Sequence, residues 1–213
     1  MSKYRCLLPV RIIPGNYLYF WGKYRGHLKD FREIIDACLS GDHRAPEKLY
    51  SILAPKMYGV CLRYARDVHE AEDNLQEGFV TVFSKLKDFR HEGSFEGWVR
   101  RIMINVSLDS FRKKQQLMYV DELKKLDSAT GEEEAISHLP VEEMIKVIQE
   151  LPPRYRMVFN MYVLEGFNHA EISKELGISE GSSKSDLSRA REILRNKLQY
   201  QYSDIKKNRR YSL

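Results

Sequence analysis

Residues 168–194, NHAEISKELGISEGSSKSDLSRAREIL, decide the fold, because their pattern is helix, tight turn and helix. Asn168 with Glu171 three positions later is close to a capping box, which marks a helix start. Gly177 suits the left-handed position that ends a helix, and Ser179 can cap the next one. The second helix carries a single apolar stripe, formed by Leu187, Ala190, Leu194 and Leu198. The stretch therefore predicts a helix-turn-helix.

The polar face of the second helix is suited to DNA. It carries small hydroxyls and one arginine, which can approach base edges, and two flanking cations, which can reach phosphates. From Lys184 to Arg210, nine basic residues stand against three acidic ones. The alternative is an ordinary helical hairpin with a solvated polar face. The predicted DNA-binding residues of this helix are Ser182, Lys184, Ser185, Ser188, Arg189 and Arg191.

The rest of the chain is also helical in pattern from Asp30 onward, without the period-two alternation of strands. The predicted helices cover 30–40, 44–66, 68–87, 94–117, 141–150, 154–165, 168–176 and 180–199. Between 119 and 143, eight acidic residues against two lysines indicate a flexible acidic linker. We therefore predict an all-α protein of two small helical domains. The predicted segments are an N-terminal extension of unknown role (1–29), domain one (30–118), the linker (119–139), domain two (140–199) and a basic tail (200–213).

Composition narrows the class of protein. The chain has 213 residues, of which 31% are charged and 43% hydrophobic, which suits a soluble folded protein. Its formal net charge of +5 permits an anionic partner such as nucleic acid but does not by itself establish one. Its three cysteines, Cys6, Cys38 and Cys61, include no C-x-x-C pair. They argue against a disulfide framework or a zinc site and favour the reducing cytoplasm.

No enzyme motif emerges. His69-Glu70-Ala71-Glu72-Asp73 resembles part of a zinc-protease helix but lacks the second histidine at the required spacing. There is no P-loop and no dinucleotide-binding glycine signature. We therefore expect neither catalysis nor a metal or cofactor.

The helix that begins near Ser94 has two stripes. One is apolar and contains Phe95, Trp98, Val99, Ile102 and Val106; the other is polar and contains Arg101, Asn105 and Arg112. A basic cluster from Arg112 to Lys114 follows, which either complements the helix dipole or meets phosphates. The preceding loop, 90–94, is polar and contains glycine, so its backbone can approach a ligand closely.

Four stretches carry a family likeness: 47–64, 71–79 (AEDNLQEGF), 95–105 (FEGWVRRIMIN) followed by Asp109 and Arg112, and 151–154 (LPPR) leading into the helix-turn-helix. The first three resemble domain 2 of sigma-70 family factors, and the fourth resembles their domain 4. With only these two domains and a linker, the chain resembles an extracytoplasmic function (ECF) sigma factor. The likeness covers roughly residues 36–118 and 140–199.

The resemblance implies three contact surfaces. Asp73, Gln76 and Glu77 match the face that docks on the clamp helices of the largest polymerase subunit. The surface that melts the −10 promoter element is matched by Gly93, Ser94, Trp98, Arg101, Asn105, Arg112 and Lys113. The helix-turn-helix residues given above match the −35 reader.

The resemblance also implies partners: core RNA polymerase, promoter DNA and an anti-sigma factor, which in the family is commonly membrane-anchored. Residues 154–165 match the part seated on the polymerase flap, and the linker matches the segment that threads toward the RNA exit path. A monomer when free, with no small-molecule substrate, is expected.

The chain departs from the family at two positions of the second helix. Ser183 stands where the family usually has a branched hydrophobic residue, and Asp186 stands where the family often has a basic residue. The alternative function is a helix-turn-helix regulator that acts without polymerase. The acidic face at Asp73 and the two-domain layout argue against it.

Overall fold

The computed structural model describes residues 31–118 and 141–210, excluding the side chains of 116–118, 141–142 and 200–210. Within these ranges the chain is helical and contains no strand, which confirms the all-α fold class. The α-helices are α1 (Arg32–Ser40), α2 (Ala45–Tyr64), α3 (Val68–Ser84), α4 (Phe95–Met118), α5 (Val141–Gln149), α6 (Pro153–Phe159), α7 (His169–Leu176) and α8 (Glu180–Arg210). A 3-10 turn covers Leu86–Asp88, and a π-helical turn covers Asn160–Leu164.

Several predictions fall outside the described residues: the N-terminal extension, the acidic linker and Cys6. The described part divides into two compact units, one formed by 31–61 and 68–107, the other by 62–67, 108–118 and 141–210. The predicted domain limits remain predictions.

The first unit depends on a close approach of α3 to α4. A Cβ atom added to Gly78 would lie 2.2 Å from the Met103 Sδ atom, and Met103 is fully buried. Leu75 and Phe79, on either side of this point, are also fully buried. A methyl group at position 78 would therefore require the buried Met103 side chain to shift.

The second unit has a core between α5 and α8. Its buried residues are Val147, Ile148, Leu151, Ala190 and Leu194, against which Tyr155, Phe159, Ile193 and Leu198 pack. With Leu187 also buried, the apolar stripe predicted for the second helix of the helix-turn-helix is confirmed. Helix α8 continues to Arg210, beyond the predicted end at 199.

The predicted helix 154–165 is interrupted by the π-helical turn. The Glu165 N–H donates to the Asn160 carbonyl at 3.1 Å, which spans five residues instead of four. The Asn160 side chain is buried and donates to the Arg63 carbonyl at 2.7 Å. Because Arg63 is distant in sequence, the hydrophobic pattern of 154–165 does not reveal the irregularity.

No helix in the ranges 31–118 and 141–210 combines the length and the apolar character needed to cross a membrane. The same ranges contain no group of three His, Cys, Asp or Glu side chains placed to hold a metal ion. Burial, aided by the nearby charge of Asp42, raises the pKa of the free Cys38 thiol to about 11.

Candidate nucleic-acid interface

Local hydrogen bonds build the helix-turn-helix. The Glu171 N–H donates to Asn168 Oδ1 at 2.9 Å, and the Asn168 N–H donates to Glu171 Oε2 at 2.8 Å, which completes the capping box. Gly177 ends α7 with φ = 65°, and Ser179 Oγ accepts from the Ser182 N–H at 3.0 Å at the start of α8. These features confirm the predicted caps and turn.

The predicted reading face of α8 is mostly open to solvent. Lys184, Ser185, Ser188 and Arg191 are exposed, whereas Ser182 and Arg189 are half-buried. The Ser182 hydroxyl lies 2.9 Å from that of Ser179, so it belongs to the cap of the helix. Lys184, Ser185, Ser188 and Arg191 thus present their polar groups to solvent.

The two arginines of this face are both held by tyrosines. Arg189 Nη1 donates to the Tyr155 hydroxyl at 3.1 Å. The Arg191 guanidinium lies 5.9 Å from the centre of the Tyr162 ring, a cation–π arrangement. The Tyr162 ring also stacks on His169, with centroids 4.6 Å apart. Aromatic side chains behind the face thus limit where its cations can point.

Both departures from the family pattern are buried, on the side of α8 that faces the unit's interior. Asp186 is 1% exposed and accepts two hydrogen bonds from Arg154, at 2.7 and 3.0 Å. These bonds raise the pKa of the Arg154 guanidinium above its ordinary value. Ser183 is fully buried, with its hydroxyl 2.9 Å from His169 Nδ1. The acidic residue at 186 therefore does not stand on the reading face.

The predicted −10 surface begins at an aromatic cluster beside the exposed loop 90–94. The Phe89 ring contacts His91, Phe95 and Trp98, with centroid distances of 4.8, 5.0 and 5.5 Å. In the loop, His91 has φ = 58° and Gly93 has φ = 151°, both in the region that side chains rarely adopt. Gly93 and Ser94 are exposed, and Trp98 is half-buried.

The polar stripe of α4 is only partly available. Arg101, Asn105 and Lys113 are exposed. Arg112 is engaged within the second unit: it donates to Asp109 Oδ1 at 2.7 Å and to Glu175, both at Oε2 (2.7 Å) and at the backbone carbonyl. A contact of Arg112 with DNA would require these hydrogen bonds to be exchanged.

On α3, the predicted polymerase-binding face is formed by exposed Asp73 and Glu77 with half-buried Gln76. The neighbouring Asn74 and Leu75 are buried and hold the opposite side of the helix in the core. The helical spacing thus places two carboxylates one turn apart on the surface.

Comparison with known proteins identifies two family regions in the chain. Residues 49–116 match the family Sigma-70 region 2, and residues 141–194 match the family Sigma-70, region 4. The ECF RNA polymerase sigma factor SigW of Bacillus subtilis is 30% identical over 179 residues, covering 78% of this chain and 96% of that protein. The ECF RNA polymerase sigma factor SigE of Mycolicibacterium smegmatis is 30% identical over 173 residues, covering 78% and 66%.

Among solved structures, the chain is similar to the sigma factor RpoE of Bartonella quintana, solved with the anti-sigma factor NepR. The TM-score is 0.45 and the identity 18%, covering 73% of this chain and 98% of that one. The sequence relatives and the two matched regions decide the assignment. The chain belongs to the sigma-70 family, among its ECF RNA polymerase sigma factors.

Proposed function

We propose that this sigma factor binds core RNA polymerase through α3, reads the −35 element through α8 and melts the −10 element with α4 and the loop before it. The observation that carries the proposal is the helix-turn-helix, whose capped second helix leaves Lys184, Ser185 and Ser188 exposed on one face. Small exposed hydroxyls beside cations permit close approach of a helix to base edges and phosphates.

The proposed −10 surface combines an aromatic cluster with a polar stripe. Trp98 is half-buried against Phe89 and Phe95, and Asn105 is exposed on the same helix two turns later. Aromatic rings can stack on unpaired bases, and an amide can donate and accept hydrogen bonds at a base edge. Within this surface, Arg112 would contribute only after leaving Glu175.

The proposed polymerase surface is acidic. Asp73 and Glu77 project from α3 on a chain with a net charge of +5. Charge complementarity with a basic partner surface would accelerate docking and set its orientation. Family membership supports core RNA polymerase as that partner, promoter DNA as the second and an anti-sigma factor as the third.

Two further parts of the proposal concern cellular role. A sigma factor acts on the RNA polymerase of the cytoplasm, so we place the protein there, as a non-catalytic initiation factor and a monomer when free.

The alternative, a helix-turn-helix regulator acting without polymerase, predicts that the protein will not comigrate with core RNA polymerase in gel filtration. Comigration is the expected result.

The −10 assignment can be tested with Asn105→Ala in a reconstituted holoenzyme. Extruding a base from a duplex costs a few kcal/mol, which contacts to the unpaired base offset. The variant should form open complexes less well on duplex promoters than on templates already unpaired at the −10 element. Open complexes are measured by permanganate reactivity of unpaired thymines. An equal loss on both templates would mean that Asn105 has a structural role only.

A further inference from the structure

Tyr155 connects the hydrophobic core of the second unit to the reading face of α8. Its ring packs against the core cluster of Val147, Ile148, Leu151, Ala190 and Leu194. Its hydroxyl accepts the hydrogen bond from Arg189 Nη1 at 3.1 Å. Because the core fixes the ring, the hydroxyl is a fixed acceptor for a long, otherwise adaptable side chain.

An ion pair lies beside the hydrogen bond between Arg189 and Tyr155. Asp186, one turn before Arg189 on α8, gives both carboxylate oxygens to Arg154 in a two-bond arrangement. Arg154 and Tyr155 are consecutive on α6, and their partners Asp186 and Arg189 lie one turn apart on α8. The ion pair and the Tyr155–Arg189 hydrogen bond therefore join the same two helices side by side.

We infer that Tyr155 is a positioning residue for promoter discrimination: its hydroxyl orients the Arg189 guanidinium that reads the −35 element. The inference rests on the proposed function of Arg189. An arginine that recognises guanine donates two hydrogen bonds in one plane, so the orientation of its guanidinium determines how well it separates guanine from other bases. If the guanidinium is held in that plane before DNA binds, less side-chain entropy is lost when the correct contact forms.

The test uses the holoenzyme and the full chain. A −35 sequence is first selected from a randomised promoter pool, and affinities are then measured for promoters with each base at every selected position. Tyr155→Phe removes one oxygen and keeps the ring in the core. We expect the preference at the position read by Arg189 to fall by about two- to tenfold, the effect of one neutral hydrogen bond.

Tyr50→Phe is the matched control. It removes the same atom from a tyrosine of α2 in the first unit, whose ring contacts Phe79 with centroids 4.6 Å apart. Tyr50 belongs to none of the proposed contact surfaces, so base preferences should equal those of the unaltered protein. Thermal unfolding of all variants reports whether folding is affected.

A double-mutant cycle separates failure of the inference from failure of the proposed function. If Arg189→Ala leaves the selected motif unchanged, Arg189 is not a base reader and the proposed role of that residue is wrong. If Arg189→Ala relaxes the motif and Tyr155→Phe does not, the positioning role of Tyr155 is wrong. A uniform loss of affinity for all promoters in Tyr155→Phe would show a structural role and would also overturn the positioning role.

In the Arg189→Ala background, Tyr155→Phe should have no further effect on preference. A persisting effect would mean that Tyr155 acts through another residue.

Discussion

At Gly78, the absence of a side chain allows α3 and α4 to approach each other. A methyl group at this position would meet the Met103 sulfur at 2.2 Å, and Met103 is enclosed by the core. The Met103 side chain would have to shift within the packed core, a form of overpacking that costs about 1–3 kcal/mol. Replacing glycine by alanine in a helix stabilises by roughly 0.5–1 kcal/mol and offsets part of this cost. We therefore expect Gly78→Ala to lower the free energy of unfolding by about 0.5–2 kcal/mol, measured by urea denaturation.

Gly59 provides the control for this substitution. It also lies inside a helix, α2, but a Cβ atom added there meets nothing within 4 Å. Replacing glycine in a helix interior by alanine reduces the freedom of the unfolded chain and stabilises by roughly 0.5–1 kcal/mol. Opposite signs for the two alanine variants are the expected result. Stabilisation by both would show that α3 and α4 have room for a methyl group.

Among the elements, what could be predicted was local in sequence. The capping box of α7, the turn at Gly177 and the apolar stripe of α8 depend on residues a few positions apart, and the structure contains all three. The hydrogen-bond partners of Ser183 and Asp186 lie 14 and 32 positions away, so these contacts could not be predicted from helical periodicity. The same limit applies to Arg112, whose partner Glu175 is 63 positions away. The roles of the predicted site residues remain predictions.

The Arg154–Asp186 pair should fix α6 against α8. Asp186 is almost fully buried, whereas the Arg154 side chain is 43% exposed, so solvent screens part of the attraction. Arg154→Met leaves a buried carboxylate without its partner, and we expect a loss of about 1–3 kcal/mol in the free energy of unfolding. Replacing both residues, in Arg154→Met with Asp186→Leu, removes the buried charge. This double variant should regain most of the lost free energy of unfolding.

An exposed pair on the same helix provides the comparison for this loss. Lys197 of α8 pairs with Glu150, and both side chains are more than a third exposed. Lys197→Met should therefore cost less than about 1 kcal/mol. Chemical denaturation of the three variants measures these differences. Equal losses for Arg154→Met and Lys197→Met would show that burial of Asp186 contributes nothing to the ion pair.

Across the whole molecule, the proposed DNA-binding surfaces and the proposed polymerase-binding surface carry charges of opposite sign. The chain is basic overall, and its proposed DNA-binding residues include Arg101, Lys113, Lys184 and Arg191, all exposed. The proposed polymerase-binding face at Asp73 and Glu77 is acidic. Surfaces of opposite sign would steer one chain toward two differently charged partners.

Reversal of the acidic face tests this division. Asp73→Lys with Glu77→Lys should weaken binding to core RNA polymerase at least about tenfold, because like charges across an interface cost several kcal/mol and about 1.4 kcal/mol is tenfold. Both side chains are exposed on α3, so helical content measured by circular dichroism should not change. Glu33→Lys with Asp36→Lys makes the same change in net charge on the exposed side of α1 and should leave binding nearly unaltered. Titration of labelled core enzyme measures both variants. Equal weakening would indicate a response to net charge, and undiminished binding of the α3 variant would place the docking face elsewhere on the chain.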